Sequence, residues 1–178
     1  AQAKARLRKA TPRTLDDCRR FLERTPGHEP TLRVLENMVR TGRNALGAVE
    51  LLEEVLAPRD GWQRLMGIWR NLLRVVRQPD ERTNLRMRMG QAAEGPLAVP
   101  AQALTIFTSA LRESPRRTDV QAALRRLSER LDARDATVEF VDTQADAREG
   151  PDRAALARFG GELHLDWRDD VAGAAERF

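Results

Sequence analysis

The chain holds few side chains suited to acid–base, nucleophilic or metal chemistry: two histidines, His28 and His164, one cysteine, Cys18, and adjacent carboxylates such as Glu53 with Glu54 and Asp169 with Asp170. A catalytic centre needs a nucleophile, base or metal held in a shaped pocket. His28 lies in the turn-like stretch PGHEP and His164 between Leu163 and Leu165, so they read as a turn residue and a helix-face residue rather than as general bases. Cys18 follows Asp16 and Asp17, an acidic setting that disfavours a thiolate, and reads as a small buried residue. Adjacent carboxylates on a helix point about 100° apart and do not converge. GRNALG, from Gly42 to Gly47, has two glycines but lacks the lysine and preceding strand of a phosphate-binding loop, and reads as a turn between helices. A lone cysteine excludes an internal disulfide and leaves too few thiolates for a structural zinc site. The expectation is a non-enzymatic chain without cofactor or metal.

Binding chemistry has more material. Of the 31 basic residues all but Lys4 and Lys9 are arginine, a skew that a GC-rich genome produces most simply. Lys4, Arg6, Arg8, Lys9 and Arg13 put five positive charges and no acid into residues 1–13, so the net charge of +4 leaves the remainder at −1. That basic segment suits a helix end, a flexible tail or the edge of a larger domain, and offers a contact for nucleic acid or a membrane surface. In the body, Arg86, Arg88, Arg125, Arg126 and Arg130 mix with Glu81, Asp119, Glu129 and Asp132, the pattern of solvated, ion-paired helix faces. A nucleic-acid surface would show a one-sign stripe with interleaved aromatics, and aromatics are 4% of the chain. Trp69 reads as a packing residue; Trp62 and Trp167 stand at expected helix starts, with Trp62 offered to a ligand.

These side chains need elements to carry them, and nearly every segment places apolar residues three and four apart, with no sustained alternation of period two. Leu32, Leu35, Met38 and Val39 line one helix that Gly42 stops; Ala45, Ala48, Val49, Leu52, Val55 and Leu56 line the next, up to Pro58. Leu65, Ile68, Trp69, Leu72, Leu73 and Val76 mark a long helix with Asp60 as its expected N-cap, and Asp80 is placed to cap a helix carrying Leu85, Met89 and Ala92. AQALTIFTSALRESP, residues 101–115, supplies its partner; Val120 to Leu127, Val138 to Ala145, GPDRAALARFGGEL and Val171 to Phe178 supply four more. VEFV is strand-like alone but sits among helical neighbours. No apolar run reaches the length of a membrane span, and no secretory core is visible, which fits a cytoplasmic chain.

About ten short helices with short turns call for a search for internal repeats. Pro79 and Asp80 recur as Pro151 and Asp152, Leu85 as Leu156, Ala103 as Ala174, Phe107 as Phe178, Leu52 as Leu124 and Val55 as Leu127, a period of about 72 residues, or two 34-residue helical hairpins. On these residues, and on the Ala103, Phe107, Ala110, Pro115 spacing of a second hairpin helix, residues 14–178 resemble the tetratricopeptide-repeat (TPR) family in the degenerate, arginine-rich form common in large bacterial proteins. The first-helix Trp, Gly and Tyr of that family are here Met87, Gln91 and Glu94.

The resemblance implies an all-α fold: a right-handed α-solenoid of antiparallel hairpins over residues 14–178, preceded by the basic segment 1–13. It also implies a concave groove, lined by first helices, that takes a peptide or partner helix with Arg and Asn side chains meeting carboxylates and backbone. The expected contacts are Arg82, Asn84, Arg86 and Arg88, Arg153 and Arg158 one long period later, and Trp62. The function this implies is a protein-interaction scaffold; the alternatives are an adaptor for an anionic partner through residues 1–13 and a passive spacer. Phe178 stops at the aromatic position of its helix without a polar cap, so the expectation is a longer array cut in mid-helix, or self-association through residues 163–178.

Overall fold

A computed structural model describes residues 14–177 of the chain; the basic segment 1–13 and Phe178, with the expectations placed on them, lie outside the described residues. The described residues form ten α-helices and no strand: α1 (Leu15–Arg24), α2 (Glu29–Thr41), α3 (Ala45–Leu56), α4 (Trp62–Val75), α5 (Pro79–Glu94), α6 (Pro100–Glu113), α7 (Thr118–Arg130), α8 (Arg134–Asp146), α9 (Gly150–Arg168) and α10 (Val171–Arg177). The fold class is therefore all-α. VEFV lies inside α8, as its neighbours demand. No helix among the described residues is long and apolar enough to cross a membrane.

The boundaries follow local chemistry. Thr14 caps α1, its hydroxyl oxygen accepting the Asp17 N–H at 3.1 Å. Proline stands in the first turn of α2, α6 and α9, where its missing N–H costs nothing. Gly42 ends α2 with φ 76°, a left-handed conformation in which a Cβ is strained. Three boundary expectations are corrected. Asp80 does not cap α5, which begins at Pro79 and so holds Asp80 in its first turn. Asp60 does not cap α4: a 3₁₀ turn over Ala57–Arg59 extends α3, Asp60 leaves it with φ 58°, and Gly61 takes the cap position without a side-chain bond. Only glycine fits there, because a Cβ would lie 2.8 Å from Leu56 Cβ and 2.9 Å from its carbonyl oxygen. Trp167 sits near the end of α9, not at a helix start, since that helix runs on past GPDRAALARFGGEL to Arg168.

The chain divides into two compact units, the first ending at Gln78 and the second beginning at Pro79. In the first, α1 packs on α2 and α3, and both α2 and α3 pack on α4. Cys18, Leu22, Leu32, Leu35, Val39, Val49, Leu52, Leu65, Ile68 and Trp69 are buried there, which places Cys18 and Trp69 in packing roles as their settings predict. In the second, each helix from α5 to α10 packs on the next in chain order. Its core joins Ala103, Phe107, Ala110, Leu124, Leu127, Val138, Val141, Leu156, Phe159 and Leu163. Phe107 lies so close to Gly90 that a Cβ on Gly90 would overlap the ring, so a bare backbone in α5 is what lets α6 approach.

Helix starts repeat along the chain. Those of α2 and α6 (29 and 100) are 71 residues apart, α3 and α7 (45 and 118) 73, α4 and α8 (62 and 134) 72, α5 and α9 (79 and 150) 71, and α6 and α10 (100 and 171) 71. The matched residues Leu52 and Leu124, Leu85 and Leu156, and Ala103 and Ala174 are buried in both copies.

Candidate interaction cleft

In the first unit α2 and α4 border an open cleft of about 460 Å³ lined by Arg33, Glu36, Asn37, Arg40, Arg64, Gly67 and Asn71, with Val39 and Ile68 beneath. Helical periodicity builds both walls. Arg33, Asn37 and Arg40, at i, i+4 and i+7, share one face of α2; Arg64, Gly67 and Asn71 share one face of α4. Gly67 leaves the second wall bare: nothing lies within 4 Å of where its Cβ would be. A glycine inside a helix costs about 1 kcal/mol relative to alanine, and no close packing contact explains this one.

The charges of the cleft are not equivalent. Arg64 is held internally, donating through Nη1 and Nη2 to the two oxygens of Glu29 at 2.8 and 3.0 Å and through Nε to Glu36 at 2.6 Å. The bonds to Glu29, with Glu36 adding to them, hold its guanidinium well above the usual arginine range, and Arg64 in turn holds Glu29 below the usual carboxylate range. Arg33 and Arg40 are exposed; Arg40 donates to Oδ1 of Asn37 at 2.6 Å. The cleft thus presents two solvent-facing guanidinium groups beside two amides that can donate and accept. That set can hold a carboxylate and an extended backbone. It contains no nucleophile paired with a base, and no group of three or more His, Cys, Asp or Glu side chains fit for a metal occurs among the described residues.

The contacts expected from the sequence lie elsewhere. Arg82 and Arg86 in α5 converge on Glu113 at the end of α6, with only 17% of the Arg86 side chain exposed. Burial, with the charge of Arg82 adding to it, pushes the Arg86 guanidinium below the usual arginine range. Asn84 is exposed and accepts from Arg117 at 2.9 Å; Arg88 is exposed. Arg153 and Arg158 are exposed on α9, with Arg158 3.9 Å from Glu162. Trp62 is half-buried at the first position of α4, in the first unit, whereas the six polar residues belong to the second. Within residues 163–177, Leu165 and Val171 are exposed while Leu163, His164 and Ala174 are buried.

Ion pairs along the second unit join alternate helices. Arg126 of α7 grips both oxygens of Glu94 of α5, with Arg130 2.9 Å away, and Arg125 of α7 pairs with Asp166 of α9. Trp167 of α9 donates to Glu129 of α7 at 2.9 Å. On alternate helices of the other set, the Arg112 guanidinium of α6 lies 5.5 Å from the Phe140 ring centre of α8. Arg86, Arg125, Arg126 and Arg130 are paired, as their mixed signs predict, but with carboxylates on other helices. No family model matches the chain, and no curated protein or solved structure matches it.

Proposed function

We propose that this chain is a non-enzymatic protein-interaction scaffold whose helices form TPR-like antiparallel hairpins, wound as a right-handed solenoid in the degenerate bacterial style. The recurrence of helix starts every 71–73 residues, the packing of neighbours in chain order and the bridging of alternate helices support that arrangement. Such hairpins bury their apolar faces against one another and leave a polar surface open to a partner. The observation that carries the function is the α2–α4 cleft, with Arg33 and Arg40 open to solvent beside Asn37 and Asn71 and a bare helix at Gly67. An extended peptide fits it, with a carboxylate on the arginines and its backbone on the amides. Of the residues named from the sequence, the exposed Arg88, Arg153 and Arg158 are the proposed contacts within the second unit, while Arg82 and Arg86 are engaged by Glu113.

Partner capture from a source-cell lysate on the immobilised chain tests this. A protein that survives high-salt washing and falls about tenfold or more on Gly67→Trp, a loss of about 1.4 kcal/mol, is the expected result. A protein retained equally by Gly67→Trp and by Arg33→Gln/Arg40→Gln overturns the cleft as its site. Nucleic acid or lipid released at modest salt, and lost on removal of residues 1–13, moves the function to the basic segment.

A further inference from the structure

His164 belongs to the second unit, away from the cleft residues in sequence, and its surroundings are not those of an ordinary helix-face residue. It lies in α9 with 9% of its side chain exposed. Nε2 is 2.9 Å from Oδ2 of Asp142 in α8, and Nδ1 is 3.1 Å from Oδ2 of Asp170 in the turn before α10. Ionised carboxylates only accept hydrogen bonds. Both contacts are hydrogen bonds together only when both ring nitrogens carry a proton, so the geometry is that of an imidazolium between two aspartates.

Two glycines make room for this arrangement. A Cβ on Gly160, one turn before His164, would lie 2.9 Å from Oδ1 of Asp142; a Cβ on Gly173 would overlap Asp170 Oδ2 and lie 2.9 Å from Nδ1 of His164. The α9–α10 turn closes on the same residues. Asp170 donates its N–H to the His164 carbonyl at 3.2 Å, and its Oδ1 caps α10 by accepting the Gly173 N–H at 2.9 Å. Arg177 of α10 reaches back to α8, its Nε 3.3 Å from Asp142 and its Nη1 2.7 Å from Asp146. Asp142 from α8 and Asp170 from the turn are thus the carboxylates on the ring, Arg177 from α10 pairs with Asp142 and with Asp146 beyond it, and Arg168 adds its charge at Asp170. Two carboxylates contact the ring itself, and a proton on each ring nitrogen satisfies both.

We propose that His164 is a pH-dependent latch holding α10 on α8 and α9. With both ring protons present, the imidazolium clamps Asp142 to Asp170 and the first turn of α10 is tied down. Loss of one proton turns one ring nitrogen into an acceptor facing a carboxylate, and one of the two bonds must open. Asp170 is the partner released, because its side chain is 40% exposed and water can take over its solvation, whereas Asp142 is 17% exposed and also holds Arg177. The Gly173 N–H, with His164 adding to it, keeps the Asp170 carboxyl below the usual carboxylate range, so it is ionised wherever the ring titrates. The latch is closed once the aspartates are ionised and loosens when the ring loses one of its protons, so the range to scan is the one in which histidine side chains in general change charge, about pH 5 to 8.

Hydrogen exchange of the full chain across that range, with the ring protonation of His164 followed by NMR in the same samples, tests the latch. After correction for intrinsic exchange, α10 amides are expected to speed up about tenfold or more relative to α6 amides as the ring loses its proton, the effect of losing one charge-assisted hydrogen bond. His164→Gln is expected to abolish that pH dependence. A flat α10 profile through the observed ring titration overturns the proposal without any variant, and so does an undiminished rise in His164→Gln.

Discussion

The helix pair α2–α4 of the first unit and the pair α6–α8 one period later share their buried framework and differ in their polar lining. Leu35 and Val39 recur 72 residues on as Phe107 and Leu111, and Leu65, Met66 and Trp69 as Thr137, Val138 and Val141, all buried in both copies. The cleft residues do not recur: Arg33, Asn37, Arg64, Gly67 and Asn71 become Thr105, Ser109, Ala136, Glu139 and Thr143. The 72-residue spacing thus preserves buried positions on which the helices pack, and the cleft lies where the two pairs differ. Arg40 alone keeps its type, as Arg112, which lies against the Phe140 ring.

The largest effect that sharpens this comparison lies in the shared framework. Phe107→Ala is expected to cost about 3–5 kcal/mol and its counterpart Leu35→Ala about 2–5 kcal/mol, since both side chains are fully buried. Urea unfolding at neutral pH measures both. A loss under about 1 kcal/mol at either position would show that the two pairs are not held by equivalent packing.

Ion pairs give the next effect and separate the units by burial. Arg126, with Arg130 adding to it, holds Glu94 below the usual carboxylate range, and 13% of the Glu94 side chain is exposed; Glu29, held by Arg64, is 54% exposed. Glu94→Gln is expected to cost about 1 kcal/mol at neutral pH, discounted because both arginines are half exposed, and Glu29→Gln less. Both carboxylates titrate lower in the folded chain than in the unfolded one. Their contribution is therefore present above the unfolded glutamate range and lost as the pH falls through the lowered folded value. Denaturation curves of wild type and variants should converge in acid; a gap for Glu94→Gln that persists there would show that the carboxyl acts through packing.

The buried half of the molecule was legible in the sequence because burial imposes a period of three to four, which Leu32, Leu35 and Val39, and Leu65, Ile68, Trp69 and Leu72, obey without ambiguity. The match of Leu52 with Leu124 was legible for the same reason. Polar faces carry no such constraint. Arg33, Asn37 and Arg40 look locally like any solvated face, and only the approach of α4 with a bare Gly67 makes them a cleft. A mid-helix glycine without a turn around it was the available signal. His164 lies in a helix as read, but its polar surroundings were not legible, because Leu163 and Leu165 describe its neighbours in sequence whereas Asp142 and Asp170 arrive from α8 and from the turn. Asp60 failed as a cap through one unforeseen 3₁₀ turn.

The smallest stability change is the one that decides most about the cleft. Gly67→Glu gives α4 the residue that its counterpart α8 carries as Glu139, exposed in both settings. Glutamate favours a helix interior by up to about 1 kcal/mol over glycine, and nothing stands within 4 Å of the new Cβ, so a gain of about 0.5 kcal/mol is expected in thermal unfolding. Partner retention should nevertheless fall, because the added side chain and its charge enter the space that Arg33 and Arg40 border. A more stable chain that no longer binds separates the cleft from the scaffold that presents it. A more stable chain that binds unchanged places the contact surface outside α2–α4, and the exposed Arg88, Arg153 and Arg158 of the second unit become the residues to substitute next.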